Sequence, residues 1–212
     1  MTDQRIDVYL ICNAKYHDTN FSRLELLKLL AEHEDVWVRV ADSYADIEAI
    51  KKAKLLITYT CDLCPTEQQQ YGLREFLESG GRWLALHGTN ALVEFVDGKA
   101  DTPDKAPHLM QSLGSRFVAH PAQQSFTVHV TDEAHPVTEG IEDFEIDDEP
   151  YYCEFFGDNK ILLEASYDAP STGYIRSNFG IDRKSQPQMY LHPVGEGEVL
   201  YMMLGHCSGK YD

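Results

Sequence analysis

The chain has 212 residues, which suits one domain with a single buried core, and its 43% hydrophobic content excludes disorder as the default reading. Its 35 acidic and 18 basic residues give a formal net charge of −17. Such a surface repels nucleic-acid phosphates and anionic lipid headgroups but admits a small neutral or cationic ligand. No apolar stretch reaches membrane-spanning length, and residues 8–12 are too short a run for a signal core, so the expectation is a cytoplasmic protein whose five cysteines stay reduced.

Residues 6–12 form an apolar, β-branched run that reads as a buried strand. Asn20 can cap a following helix, in which Phe21, Leu24, Leu27 and Leu30 have helical spacing with Leu26 and Leu29 beside them. Residues 36–40 alternate as a second strand, 46–52 read as a short helix, and 55–59 as a third strand. Cys61 and Cys64 have redox-motif spacing, but no second pair completes a zinc site, and they read as ordinary loop cysteines. Thr66 followed by Gln69 fits a capping box. The helix then runs through Leu73, Phe76 and Leu77 and stops at Gly80-Gly81. Residues 83–86 are a fourth strand, which ends abruptly at His87-Gly88.

That alternation predicts a doubly wound, mostly parallel sheet with helices on both faces. Ligands of such sheets bind at the carboxyl ends of the strands. His17-Asp18, Cys61-Asp62 and His87-Gly88-Thr89-Asn90 follow three of those ends. The second half is less regular. Residues 97–107, rich in Asp, Lys and Pro, read as an exposed loop or lid, and 109–113 as a helical turn stopped by Gly114. Residues 126–130 read as a strand with a partner near Glu145, and 161–165 and 199–204 as further strands. No repeat or linker divides the chain, so residues 1–212 are taken as one domain.

Five segments carry a resemblance. Gly80-Gly81-Arg82-Trp83-Leu84-Ala85-Leu86-His87-Gly88 resembles the glycine-rich turn, strand and elbow of the ThuA-like (trehalose-utilisation) family. Gly114-Ser115-Arg116-Phe117-Val118-Ala119-His120-Pro121 is similar to its G-x-x-F-x-x-H-P segment, and the stretch from His135-Pro136 to Gly140-Ile141 to its H-P-[IV]-T-x-G-[IL] element. Asp148-Glu149-Pro150-Tyr151-Tyr152 resembles D-E-x-Y-Y, and Gly195 to Tyr201 with Leu204-Gly205-His206 resembles the closing G-x-G-x-V-x-Y…L-G-H. The resemblance implies a flavodoxin-like sheet of the class I glutamine amidotransferase type, with added β-strands in the second half. Residues 92–107 have no counterpart in it.

True amidotransferases carry a cysteine at the strand-to-helix elbow, activated by a nearby histidine. Here the elbow falls on His87, so the resemblance implies no glutaminase activity. Cys207 is the one cysteine next to a site motif. The motifs offer histidine and carboxylate instead: His87, Glu149, His120 and His206, with His17 on the expected ligand-binding edge. Imidazoles with one carboxylate can hold a divalent metal such as zinc with a position left open, here through His87, His120 and His206. They can equally act as acid and base without metal. No compact metal motif such as H-E-x-x-H is present, so a metal centre needs convergence in space.

Each residue has a plainer role beside the functional one. His87 can simply bond backbone at a tight turn, and His120 can end a strand before Pro121. His206 can do likewise after Gly205, Glu149 can be a solvated member of an acidic run, and Tyr152 can be core. In the functional reading, His87 and Glu149 are acid, base or ligand, and His120 and His206 contact metal or transition state. His17, Asn90 and Tyr152 then orient the substrate. The resemblance implies a small-molecule carbohydrate ligand, trehalose or a keto-sugar, and a hydrolysis, elimination or isomerisation. Two other readings stand beside it: a non-catalytic sugar-binding or regulatory module, and a hydrolase dependent on Cys207. The charge argues against nucleic-acid and membrane partners, and a homo-oligomer is left open.

Overall fold

The computed structural model describes residues 5–206. The first half runs β1 (Ile6–Ala14), α1 (Thr19–Leu30), β2 (Val36–Ala41), α2 (Ile47–Lys52), β3 (Leu55–Cys61), α3 (Glu67–Glu78) and β4 (Arg82–Leu86). A single 3-10 turn, His87–Asn90, leads to the hairpin β5 (Glu94–Val96) and β6 (Lys99–Asp101), then to α4 (Pro107–Leu113). The second half holds β7 (Ser115–Ala119), β8 (Gln124–Val130), β9 (Phe144–Asp148), β10 (Tyr152–Phe155), β11 (Lys160–Ala165), β12 (Gln186–Val194) and β13 (Gly197–Met202).

Nine strands form one sheet in the order β2-β1-β3-β4-β13-β12-β11-β8-β9. Pairing is parallel from β2 across to β13. It is antiparallel from β13 out to β9. The parallel part has the flavodoxin-like order, with β13 taking the fifth place, so the carboxyl ends of β1, β3, β4 and β13 share one rim. β7 and β10 pair as a separate ribbon.

Local chemistry accounts for the elements. Buried parallel strands are covered on both faces, and β3 is accordingly buried along almost its whole length. Trp83 on β4 is buried and donates its indole N–H to Thr58 Oγ1 on β3 at 2.8 Å, so the largest core side chain leaves no orphan donor. The Thr66–Gln69 capping box opens α3 with both of its bonds made. Gly114 ends α4 with φ +76°, a left-handed cap that glycine adopts without strain.

Several expectations change. The cap of α1 is Asp18, not Asn20: its carboxylate accepts the Phe21 N–H at 2.8 Å, two residues earlier than the composition suggested. Residues 97–107, expected as an exposed loop or lid, include β6 of the β5–β6 hairpin, which is bridged through Ala100 to Tyr174. Strands β7, β10 and β12 are additions to the sequence reading. Among the described residues, no helix is long and apolar enough to cross a membrane. Cys12, Cys61, Cys64 and Cys153 are all free thiols. Cys207 lies outside the described residues.

Candidate functional site

The rim of the parallel strands gathers residues far apart in sequence. His17 follows β1, His87 follows β4, and His206 follows β13, while Glu149 arrives from β9 at the antiparallel edge. One ligand atom from each of these four residues lies within 4.8 Å of the others. The imidazole rings meet edge to face, with centroids 4.8 Å apart for His17–His87 and for His17–His206.

His87 sits at a true elbow, with φ +46°, a conformation that non-glycine residues hold only when the surroundings fix it. The fixing contacts are visible. Tyr201 donates its hydroxyl to the His87 carbonyl at 2.6 Å, and the same hydroxyl accepts the Asn90 N–H at 2.9 Å. Gly88 lets the turn approach β3: a Cβ there would lie 2.9 Å from Cys61 Cβ and 3.0 Å from the Thr60 carbonyl.

Three histidines share one tautomer. His17 Nδ1 bonds the Lys15 carbonyl at 2.8 Å, His87 Nδ1 the Met203 carbonyl at 2.7 Å, and His120 Nδ1 the Pro121 carbonyl at 2.7 Å. A carbonyl only accepts, so each Nδ1 carries a proton, and in the neutral ring Nε2 keeps its lone pair. His17 Nε2 is buried without a hydrogen-bond partner. His87 Nε2 accepts the Tyr151 hydroxyl at 2.9 Å.

Glu149 is the hub, 3.3 Å from His206 Nδ1, 3.5 Å from His120 Nε2 and 3.8 Å from His87 Nε2. The His206 contact is close enough for charge attraction, but its alignment leaves Nδ1 without a proper hydrogen bond. Burial alone would raise the Glu149 carboxyl, but the neighbouring His206, His120 and His87 outweigh it and hold the group below its usual range. The Glu149 contact raises His206 against the opposing effect of burial. Burial lowers His17, and it pushes fully enclosed His87 down to about 3, helped by the neighbouring His17. His17 and His87 are therefore neutral donors at physiological pH.

A cavity of about 190 Å³ opens beside the cluster, with His17, His120, Glu149 and His206 on its polar side and Phe117, Tyr151 and Tyr174 among its aromatic walls. A larger groove of about 480 Å³, reached by Arg5, Trp37, Arg39 and Lys52, contains none of these histidines. Cys61 also lines the cavity, but burial pushes its thiol up to about 12, so it is no thiolate at neutral pH.

Of the residues singled out from the sequence, His17, His87, His206 and Glu149 come together, and His120 touches Glu149 from outside the four-membered cluster. Asn90 is buried behind the turn, bonded to Ser115 Oγ at 2.6 Å, and is not among the residues lining the cavity. Tyr152 points the other way: its hydroxyl donates to the Ala169 carbonyl at 3.0 Å within the second apolar cluster. Of the two adjacent tyrosines, Tyr151 is the one that lines the cavity. The D-E-x-Y-Y motif contained both, and only the register of β10 decides which one faces inward. Asp148 was also passed over. Its carboxylate accepts the N–H groups of Glu149 and Gly205, each at 2.7 Å, and of His206 at 3.0 Å.

Fold and site together define a doubly wound α/β protein with a histidine–glutamate cluster at the carboxyl rim of its parallel strands. The chain belongs to the ThuA family (trehalose utilisation), whose model matches residues 8–212. No curated protein matches the chain. Among solved structures, it is similar to a ThuA-like protein from Bacteroides uniformis at 18% identity and TM-score 0.71, covering 98% of this chain and 84% of that one. A ThuA-like protein from Parabacteroides merdae is similar at 19% identity and TM-score 0.65, covering 97% and 81%. A β-galactosidase from Rahnella sp. R3 matches at 16% identity and TM-score 0.63 over 95% of this chain but 29% of its own, which is a likeness of fold alone.

Proposed function

We propose that the protein is an enzyme acting on a small uncharged carbohydrate, trehalose-derived or a keto-sugar, by hydrolysis, elimination or isomerisation, and without glutaminase activity. The observation that carries this reading is the convergence of His17, His87, His206 and Glu149, with ligand atoms within 4.8 Å of one another. The family's link to trehalose utilisation supplies the substrate class. The lining supports it too: among the described residues, no lysine or arginine lines the cavity to bind a phosphate, and polar and aromatic groups share the walls.

The residues fit a divalent cation such as zinc. His17 Nε2 and His206 Nδ1 are buried nitrogens without hydrogen-bond partners, and imidazoles with one carboxylate are a zinc-type donor set. Two of the rings are oriented by Nδ1–H bonds to carbonyls, the usual support behind a metal-bound histidine. A cation held there would polarise a substrate oxygen and ease deprotonation of a water. His120, whose Nε2 lies 3.5 Å from Glu149, would exchange a proton with a sugar hydroxyl, and Glu149 would share it. The Tyr151 hydroxyl, held at His87, orients the substrate from the cavity wall. The four free thiols fit a reducing cytoplasm.

The test is metal analysis of protein purified without added metal, repeated on His87→Ala, followed by incubation with trehalose and with keto-sugars. A stoichiometric ion lost in the variant supports the centre. An ion in neither sample removes the metal and leaves metal-free acid–base chemistry. Sugar bound without turnover identifies a non-catalytic sugar-binding module instead.

A further inference from the structure

We infer that the cavity mouth carries an aromatic stacking subsite, built by Tyr16 and Phe95, for the flat carbon–hydrogen face of an uncharged sugar ring. This rests on the carbohydrate reading above. Both residues line the cavity, yet Tyr16 is 53% and Phe95 64% exposed; Lys15 Nζ lies over one face of the Tyr16 ring, 5.0 Å from its centroid, which leaves the other face and the Phe95 ring to whatever enters. They come from unrelated segments, the loop after β1 and strand β5 of the hairpin that the family motifs do not cover. Tyr16 also holds φ +73°, a left-handed conformation that a bulky residue keeps only under constraint.

Backbone bonds on either side supply the constraint, from the Lys15 N–H to the Cys61 carbonyl and from the His17 N–H to the Ala14 carbonyl, each at 3.2 Å, and one carboxylate joins the two segments. Asp62 accepts Lys15 Nζ at 2.6 Å, next to Tyr16, and the Val93 N–H at 3.0 Å, two residues before Phe95. Directly across the ladder from Phe95, Ala100 donates its N–H to the Gly173 carbonyl at 2.9 Å, and just beyond β6 Arg116 and Arg176 both bond the Thr102 carbonyl. The base of the hairpin is therefore fixed while Phe95 stays open. Among the described residues, Lys15, next to Tyr16, pairs with Asp62, and Lys105 pairs with Glu94, next to Phe95. An anionic ligand finds no free partner among the lining residues, and aromatic faces with a few polar groups behind them suit a neutral ring that is apolar on one side.

The test is saturation-transfer NMR with the uncharged disaccharide trehalose and, for comparison, glucose 6-phosphate, on the full chain with its zinc content measured in the same samples. Saturation reaching the ring C–H protons of trehalose in the wild type is expected. Phe95→Ala and Tyr16→Gly each weaken trehalose binding roughly tenfold, the size of one lost aromatic contact, while Phe95→Trp retains it. Asp62→Asn, which keeps a residue tolerant of left-handed backbone, weakens binding too. Zinc content and thermal midpoint stay at wild-type values for both Phe95 variants. Trehalose bound equally well by Phe95→Ala and Tyr16→Gly overturns the subsite, as does a wild type that prefers glucose 6-phosphate. Zinc bound with no transfer to trehalose overturns the subsite but spares the metal centre. Transfer without zinc spares the subsite and removes the centre.

Discussion

The Asp148 carboxylate accepts the backbone N–H of His206 at 3.0 Å, across 58 residues of sequence, and so ties the end of β9 to the chain leaving β13. Two groups of the site hang on this buried side chain, because it also holds the Glu149 and Gly205 N–H groups. Asp148→Ala leaves buried N–H groups unpaired. It is expected to cost on the order of 3 kcal/mol of stability in denaturant unfolding. Zinc affinity should fall by roughly 10–100-fold, as when the support behind a ligand is lost. Unchanged zinc affinity in a folded variant would show that Asp148 braces the fold without positioning the cluster.

Among the described residues, Glu149 is the only carboxylate in the cluster. Glu149→Gln keeps the shape and removes the charge. The expected outcome is a loss of zinc affinity beyond the roughly 10–100-fold of an outer partner, with little change in the melting temperature. In the metal-free protein, NMR titration of His206 should show its midpoint falling, because the carboxylate contact that raises it is gone. A His206 midpoint that stays put would remove Glu149 as its controlling partner.

His87 gives stability a defined dependence on pH. Unfolded, the ring titrates near 6.5; folded, it stays neutral down to about 3. Between these values the unfolded chain binds a proton that the native chain does not, so stability rises with pH through the window and is lost as pH falls from about 6.5 towards 3. The effect is on the order of a few kcal/mol. His206 acts oppositely: its raised value contributes stability that is present below 6.5 and fades as pH rises through the folded value. Comparing wild type with His87→Gln under chelator isolates the first effect, with a shallower acid-side slope expected in the variant. Equal slopes would contradict the burial of a neutral His87.

Gly88→Ala tests the approach of the elbow to β3. The added Cβ would meet Cys61 Cβ at 2.9 Å and the Thr60 carbonyl at 3.0 Å, so the turn or the strand must shift. A loss of about 1–3 kcal/mol, the usual range for overpacking, is expected as a lower thermal midpoint. A midpoint matching wild type would mean that the rim yields freely.

The parallel half of the fold was legible because its strands are apolar runs between clear helix signals, and Thr66 with Gln69 marked α3 to the residue. Asp18 and Asn20 are both good caps, and only the turn after β1 decides between them. Strand β12 escaped notice because Gln186, Pro187, Gln188 and Pro193 interrupt its pattern, and proline argues against a strand that in fact pairs on both sides. At the site, strand order alone pointed to His17 and His87 on one rim. Glu149 depended on a motif, since β9 reaches the cluster from the antiparallel edge. Tyr152 reads as the substrate contact in sequence and Tyr151 holds that place in the fold, because adjacent strand residues face opposite sides and sequence does not fix which is which.

The bond from the Tyr151 hydroxyl to His87 Nε2 has an optical consequence. Any occupant that takes the Nε2 lone pair must evict the phenol from its present acceptor and leave it to find another inside an enclosed space. The ultraviolet absorption of that one ring then becomes an internal gauge of occupancy, readable without a label and silent in Tyr151→Phe.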